Sequence, residues 1–198
     1  MTAKNFNVTC IGAGVIGSGW AARLLVNGIN VTVFDEQPES YHRTNSSIKR
    51  AKKYLSQLTK APLRTIGNLT FAKSLEDALK IPNYIIESLP ENLQLKQLLY
   101  KEIEEISIDS IIMSSTSGFK PTNLQKHMKN PKNLIVTHPF NPVYLMPLVE
   151  LVPGQARDQN IIDDVQHLLE YIGLSLIHIS EPTRLRRISY AGLCVKKK

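Results

Sequence analysis

Cysteine is nearly absent. The chain has two in 198 residues, Cys10 and Cys194, too few for a disulfide framework and without metal-ligand spacing around either. No metal site is expected, and a reducing compartment is. No apolar run approaches the roughly 18–20 residues that a membrane-spanning helix needs. The N-terminus, MTAKNF, shows neither the apolar core nor the small-residue cleavage site of a secretory leader. These absences point to a cytoplasmic protein with no membrane partner. Acidic residues are outnumbered, 17 against 24 basic, but the imbalance is local: residues 175–198 hold six of the Lys/Arg and one of the Asp/Glu. The remainder is close to neutral, with no basic stripe and no interleaved aromatics, so nucleic acid is not an expected partner. Internal repeats and low-complexity linkers are also missing. At 42% hydrophobic residues, a chain of this length can bury one sizeable core.

What is present is a rhythm of short apolar strands and helices. FNVTCIGAG (residues 6–14) is an apolar run that ends in glycines, the pattern of a buried parallel strand. After it Ile16, Trp20, Leu24 and Leu25 share one helical face, and Gly28 stands where a helix C-cap glycine belongs. INVTVFD is a second strand, rich in β-branched residues and closing on an acid. A polar helix with a basic face follows over 39–58. Further strands are expected in LTFAK, NYIIES, SIIMSS and NLIVTH, alternating with helices near 74–80, 92–107, 121–128 and 158–172. Sustained alternation of this kind predicts an α/β fold, a doubly wound, mostly parallel sheet of the Rossmann type. One domain is expected over residues 1–174. From 175 to 198 the rhythm stops and the charge turns basic. That stretch resembles translated sequencing-adapter read-through and is treated as non-native; a basic interaction tail is the competing reading.

IGAGVIG places Gly12, Gly14 and Gly17 in G-x-G-x-x-G register, with Val15 and Ile16 between them, and Asp35 closes the next strand. The first glycine permits a tight turn, the second lets backbone approach a pyrophosphate, and the third lets helix and strand pack closely. The helix start attracts phosphate through its free N–H groups and dipole. A carboxylate at 35 can accept from both ribose hydroxyls and would repel a 2′-phosphate, which favours NAD over NADP. The competing reading is a glycine-rich turn with a surface acid.

THPFNPVYLMPLVEL contains His138 and Glu150 among three prolines at 139, 142 and 147. His138 follows an apolar strand, at the edge where open α/β sheets bind ligands. An imidazole oriented by a carboxylate can take a proton from an alcohol while hydride leaves the same carbon. The prolines make a rigid excursion able to fold Glu150 back onto His138, although a histidine beside a strand also occurs as a purely structural residue. SSTSGF offers Ser115, Thr116 and Ser117 at another strand end, either as ligands for a substrate oxygen or the nicotinamide ribose, or as a helix N-cap.

Together, IGAGVIGSGWAARLLVNGINVTVFD, ESLPENLQLK, SSTSGF and HPFNPVYLMPLVELV resemble the NAD-binding domain of the 3-hydroxyacyl-CoA dehydrogenase family over residues 5–173. GSGW and HPFNPVYLMPLVE are most similar to its carnitine-oxidising branch. The resemblance implies His138 as general base with Glu150 as its partner, and Ser117 on the substrate oxygen. It also implies that Asp35, Glu91, Lys96 and Asn141 help to hold NAD. Acyl-CoA members show N-T-S-S-L and H-F-F-N-P-V-P-V-M where this chain has S-T-S-G-F and H-P-F-N-P-V-Y-L-M. The substrate expected is therefore a small free 3-hydroxy acid, first of all L-carnitine going to 3-dehydrocarnitine. A 3-hydroxyacyl-CoA, a sugar acid, or a non-catalytic NAD-binding module are the alternatives. Phe140 and Tyr144 are candidate aromatic faces for a quaternary ammonium. The family's helical C-terminal domain, which supplies an active-site asparagine and the usual homodimer interface, has no counterpart before residue 174. The chain is expected to be the N-terminal part of a longer enzyme and inactive alone.

Overall fold

The first apolar run becomes a central strand because hydrophobic residues cover both of its sides. A computed structural model describes residues 6–58 and 64–179. In it β1 (Asn7–Ile11) pairs in parallel with β2 (Asn30–Phe34) on one side and with β4 (Tyr84–Glu87) on the other. Beyond β2 lies β3 (Leu69–Phe71). Beyond β4 come β5 (Ile111–Ser114), β6 (Leu134–Pro139), β7 (Leu148–Pro153) and β8 (Ser175–His178), giving the order β3-β2-β1-β4-β5-β6-β7-β8. The first six strands follow the order of a doubly wound dinucleotide-binding sheet, as expected. β7 runs antiparallel to β6, and β8 parallel to β7.

Alternation along each strand divides the interior in two. One core joins Cys10, Val31, Ile86, Met113, Ile135 and Leu151 to helices α1 (Val15–Val26), α2 (Ser40–Leu58) and α6 (Gln159–Tyr171). The other joins Ile11, Ile85, Ile112, Val136 and Val152 to α4 (Leu93–Ile106) and α5 (Pro121–Gln125). A short α3 (Leu75–Ala78) begins on Ser74, whose hydroxyl accepts from Asp77 N–H. Helix α1 is buried all round from Gly17 to Val26 rather than along one stripe. Besides the sheet, α2 packs against it. It ends as read: Gly28 takes φ +85°, its N–H reaches Leu25 O, and the Ile29 N–H reaches Leu24 O, the paired bonds of a Schellman motif.

Two strands were not anticipated. The proline-rich stretch expected as a rigid excursion contains β7, whose residues Val149–Pro153 pair with Ile135–Pro139 of β6. Its prolines sit at the strand ends and in the connecting loop, where no ladder N–H is needed. β8 takes up the first residues of the segment read as a basic tail; residues 180–198 of that segment lie outside the described residues. The helix expected over 121–128 stops at Gln125. Pro131 then disfavours helical backbone at Asn130, and a single 3-10 turn, Pro131–Asn133, leads into β6.

A polar cluster sits inside the second core, beneath the carboxyl ends of β4 and β5. Glu87, fully buried, accepts from Lys96 Nζ at 2.5 Å, Tyr100 OH at 2.5 Å, Ser114 Oγ at 2.7 Å and Leu89 N–H at 2.6 Å. Burial and the neighbouring Glu87 charge hold the Tyr100 phenol well above its ordinary range. A buried ion pair tolerates loss of one partner poorly, because the other charge is stranded. Lys96→Met is therefore expected to lower stability to urea by about 3–5 kcal/mol, and Glu87→Gln in the same chain to restore much of it. A Lys96→Met protein with the parent's urea midpoint would show that this pair is not what keeps Glu87 in place. Burial also pushes the Cys10 thiol from 9.0 up to about 12. Its folded value exceeds its unfolded one, so the contribution to stability is complete below pH 9 and fades between the two values. In a Cys194→Ser chain, thiol reagents at pH 8 should label Cys10 only after denaturant is added.

Candidate active site

Between the ends of β1 and β4, where successive crossovers leave on opposite faces of the sheet, the chain makes its glycine turn. Gly12 adopts φ +82°, and a Cβ there would lie 2.8 Å from Ser88 O; a Cβ on Gly17 would meet Gly12 O at 1.8 Å. Close approach of helix, turn and β4 therefore demands both glycines. At Gly14, the N-cap of α1, a Cβ would meet nothing within 4 Å, so protein packing does not require that glycine. Asp35 follows β2 directly. Its Oδ2 accepts from Ala13 N–H at 2.5 Å and its Oδ1 from Gln37 N–H at 2.7 Å, which ties the acid to the turn.

A cavity of about 710 Å³ opens here. Gly12, Gly14, Val15, Ile16 and Asp35 line it together, while Leu75, Leu95 and Leu98 form an apolar wall. The other residues expected around a dinucleotide lie elsewhere. Gly17 is buried beneath the turn. Lys96 is 1% exposed, with its ammonium directed to Glu87 and to Leu89 O at 3.2 Å. Glu91 lies 3.8 Å from Lys96 and caps the loop after β5: one carboxylate oxygen accepts from the Thr116 hydroxyl, from Ser117 N–H at 3.2 Å and from Gly118 N–H at 2.8 Å. Asn141 is exposed in the β6–β7 loop, before the cis bond to Pro142.

The dyad is a cross-strand pair. In the β6–β7 ladder His138 stands directly opposite Glu150, on the face carrying Val136 and Val152. Nδ1 lies 3.0 Å from Glu150 Oε2, with the histidine side chain 19% exposed and the glutamate 2%. A carboxylate engaged at Nδ1 fixes the neutral tautomer whose lone pair is on Nε2, and stabilises the imidazolium formed when that nitrogen takes a proton. The ring of Phe140 lies 6.0 Å from that of His138. Tyr144 is instead half-buried against the core around α1. Ser117 is exposed on the neighbouring strand's carboxyl edge, its backbone held by Glu91.

Further contacts between distant segments support the site. Trp20 Nε1 donates to Ser115 Oγ at 3.1 Å, and Ser115 Oγ lies 3.0 Å from Ser88 Oγ. This chain joins α1 to the ends of β4 and β5. A Cβ on Gly19 would come within 3.0 Å of Val143, so that glycine lets α1 touch the loop of the dyad hairpin. Arg23, inside the apolar stretch AARLLV, donates to Ile172 O at 2.8 Å, Gly173 O at 2.5 Å and Tyr144 O at 3.4 Å. Burial lowers its pKa to about 10. A lone arginine in an apolar helix was the available signal. Among the described residues no helix is long and apolar enough to cross a membrane.

Comparison with known proteins identifies the family and the fold. Residues 7–182 match the family model described as 3-hydroxyacyl-CoA dehydrogenase, NAD binding domain. An L-carnitine dehydrogenase of Mesorhizobium japonicum is 43% identical over 171 residues, 85% of this chain and 47% of its own length. One from Staphylococcus epidermidis is 38% identical over 85% of this chain and 53% of its own. Among solved structures, 5-formyl-3-hydroxy-2-methylpyridine 4-carboxylic acid 5-dehydrogenase superposes with a TM-score of 0.82 at 30% identity, covering 90% of this chain and 59% of that one. The 3-hydroxybutyryl-CoA dehydrogenase of Escherichia coli gives 0.81 at 25%, covering 90% and 39%. The chain thus spans about half the length of the curated relatives it matches, or less. A glycine turn bound to Asp35, a doubly wound sheet and a family match over most of the chain lead to one assignment: this protein belongs to the 3-hydroxyacyl-CoA dehydrogenase NAD-binding domain family.

Proposed function

We propose that this chain is the cofactor-binding and proton-abstracting part of an NAD-dependent enzyme that oxidises a small free 3-hydroxy acid, with L-carnitine as the first substrate. The reading rests above all on the 3.0 Å contact between His138 Nδ1 and Glu150 at the carboxyl edge of the sheet. Bound NAD supplies the hydride acceptor. Gly12, Gly14, Val15 and Ile16 hold its pyrophosphate side, and Asp35 the adenosine ribose. His138 Nε2 takes the hydroxyl proton as hydride leaves the same carbon, and the buried Glu150 carboxylate stabilises the resulting imidazolium. Ser117, on a loop capped by Glu91, donates to the developing carbonyl oxygen. Phe140 offers a face to the trimethylammonium group, an attraction of about 0.5–2 kcal/mol. Similarity to L-carnitine dehydrogenases at 38–45% identity supports this substrate over a CoA thioester. The whole enzyme is proposed to be a homodimer, joined through a portion that this chain does not span.

The decisive assay extends the chain to the length of its relatives and measures NADH formation. L-carnitine should give NADH more efficiently than 3-hydroxybutyryl-CoA; no NADH from carnitine removes it as substrate. In that protein His138→Ala should cut kcat by about 10²- to 10⁴-fold and leave NADH affinity unchanged, and an unaffected kcat would exclude His138 as the base. The 198-residue chain itself should bind NADH with negligible turnover. Its single tryptophan, Trp20, is buried beside Ser115, so binding should appear as quenching of indole emission by energy transfer to the reduced nicotinamide. Saturating NADH that leaves this emission untouched would count against cofactor binding at the glycine turn.

A further inference from the structure

Arg43 has no part in the reading above, yet it lines the same cavity as Asp35. It lies in the first turn of α2, and its Nη1 donates to Ala13 O at 3.0 Å. Ala13 is also the residue whose N–H donates to Asp35. The middle residue of the glycine turn is thus held on its N–H side by an acid and on its C=O side by a base, both bordering the space that a ribose next to the turn must occupy. Arg43 is half-buried. Its hydrogen bond to Ala13 O uses a single N–H of a guanidinium that carries five, in a planar fork suited to phosphate oxygens.

We infer that Arg43 is a second reader of the cofactor's adenosine ribose, and that discrimination between NAD and NADP here is a contest between Asp35 and Arg43. With NAD, Asp35 accepts from the ribose hydroxyls, while Arg43 steadies the turn and faces the negatively charged pyrophosphate side. A 2′-phosphate would bring its charge against Asp35 and toward Arg43. Asp35 prevails because its carboxylate is fixed at the turn by two backbone N–H groups, so repulsion cannot be relieved by a rotamer change. Removing the negative charge should therefore expose a latent phosphate site built from Arg43. Loss of the acid alone would merely weaken NAD if Arg43 played no part.

This inference rests on the NAD-binding reading, and its test separates the two. NADH and NADPH are titrated by Trp20 quenching into the 198-residue chain and its Arg43→Gln, Asp35→Asn and doubly substituted forms, with Arg43→Lys as a charge-retaining check. The parent should saturate with NADH and bind NADPH weakly; absence of NADH saturation in the parent would defeat the cofactor reading itself. Arg43→Gln should weaken NADH by about tenfold and Arg43→Lys by less. Asp35→Asn should tighten NADPH by at least about tenfold, and adding Arg43→Gln should abolish that gain. A gain that survives without Arg43, or an Arg43→Gln chain with the parent's NADH affinity, overturns the inference.

Discussion

One cross-strand register carries the chemistry proposed for this chain. Because β7 returns antiparallel to β6 with His138 opposite Glu150, the two side chains project from the same face without help from loop geometry. A slip of one residue would turn Glu150 into the apolar core around α1 and α6 and turn Val149 and Leu151 out of it. The apolar neighbours Val149, Leu151 and Val152, all fully buried, resist that slip. The dyad is accordingly placed by the hydrophobic effect and held by the backbone ladder. The hydrogen bond between the two side chains follows from that placement more than it causes it.

The remaining site residues are held by polar contacts at the same sheet edge. Glu87 gathers Lys96, Tyr100 and Ser114 under the ends of β4 and β5, and directly above them Glu91 caps the loop of Ser117. Trp20 and Ser115 tie the same strands to α1, and Arg23 ties α1 to the hairpin loop and to the end of α6. Dinucleotide turn and dyad thus share one rigid support. Such preorganisation matters for hydride transfer, which needs the donor carbon and the acceptor ring held in near-contact geometry.

Legibility differed with the range of the interaction. The turn at Gly12, the cap at Gly28 and the alternation of strands and helices depend on neighbours close in the chain, and they could be read directly. Asp35 was recognised from spacing, since a β-α-β unit returns it to the turn. Glu91 and Lys96 were connected with NAD through resemblance alone. Their observed contacts, a capped loop and a buried ion pair, join residues brought near by separate strands. Arg43 carried no signal, because a basic residue on a polar helix reads as solvated surface. β7 carried no strand signal because prolines at 139, 147 and 153 look like interruption, although they fall at strand ends or in the loop between.

The amino-acid order alone determined the fold class, the nucleotide turn with its acid, and the presence of a histidine and a glutamate suited to proton transfer. These are consequences of local conformational preference and of side-chain periodicity. Only the tertiary structure decided that those two meet, and by what means: antiparallel pairing across an eight-residue loop, with Glu150 almost fully buried. It alone also decided that Lys96 faces inward to Glu87, and that Arg43 shares the glycine turn with Asp35. Contacts between distant segments depend on sheet order and strand register, which no short stretch of sequence encodes by itself.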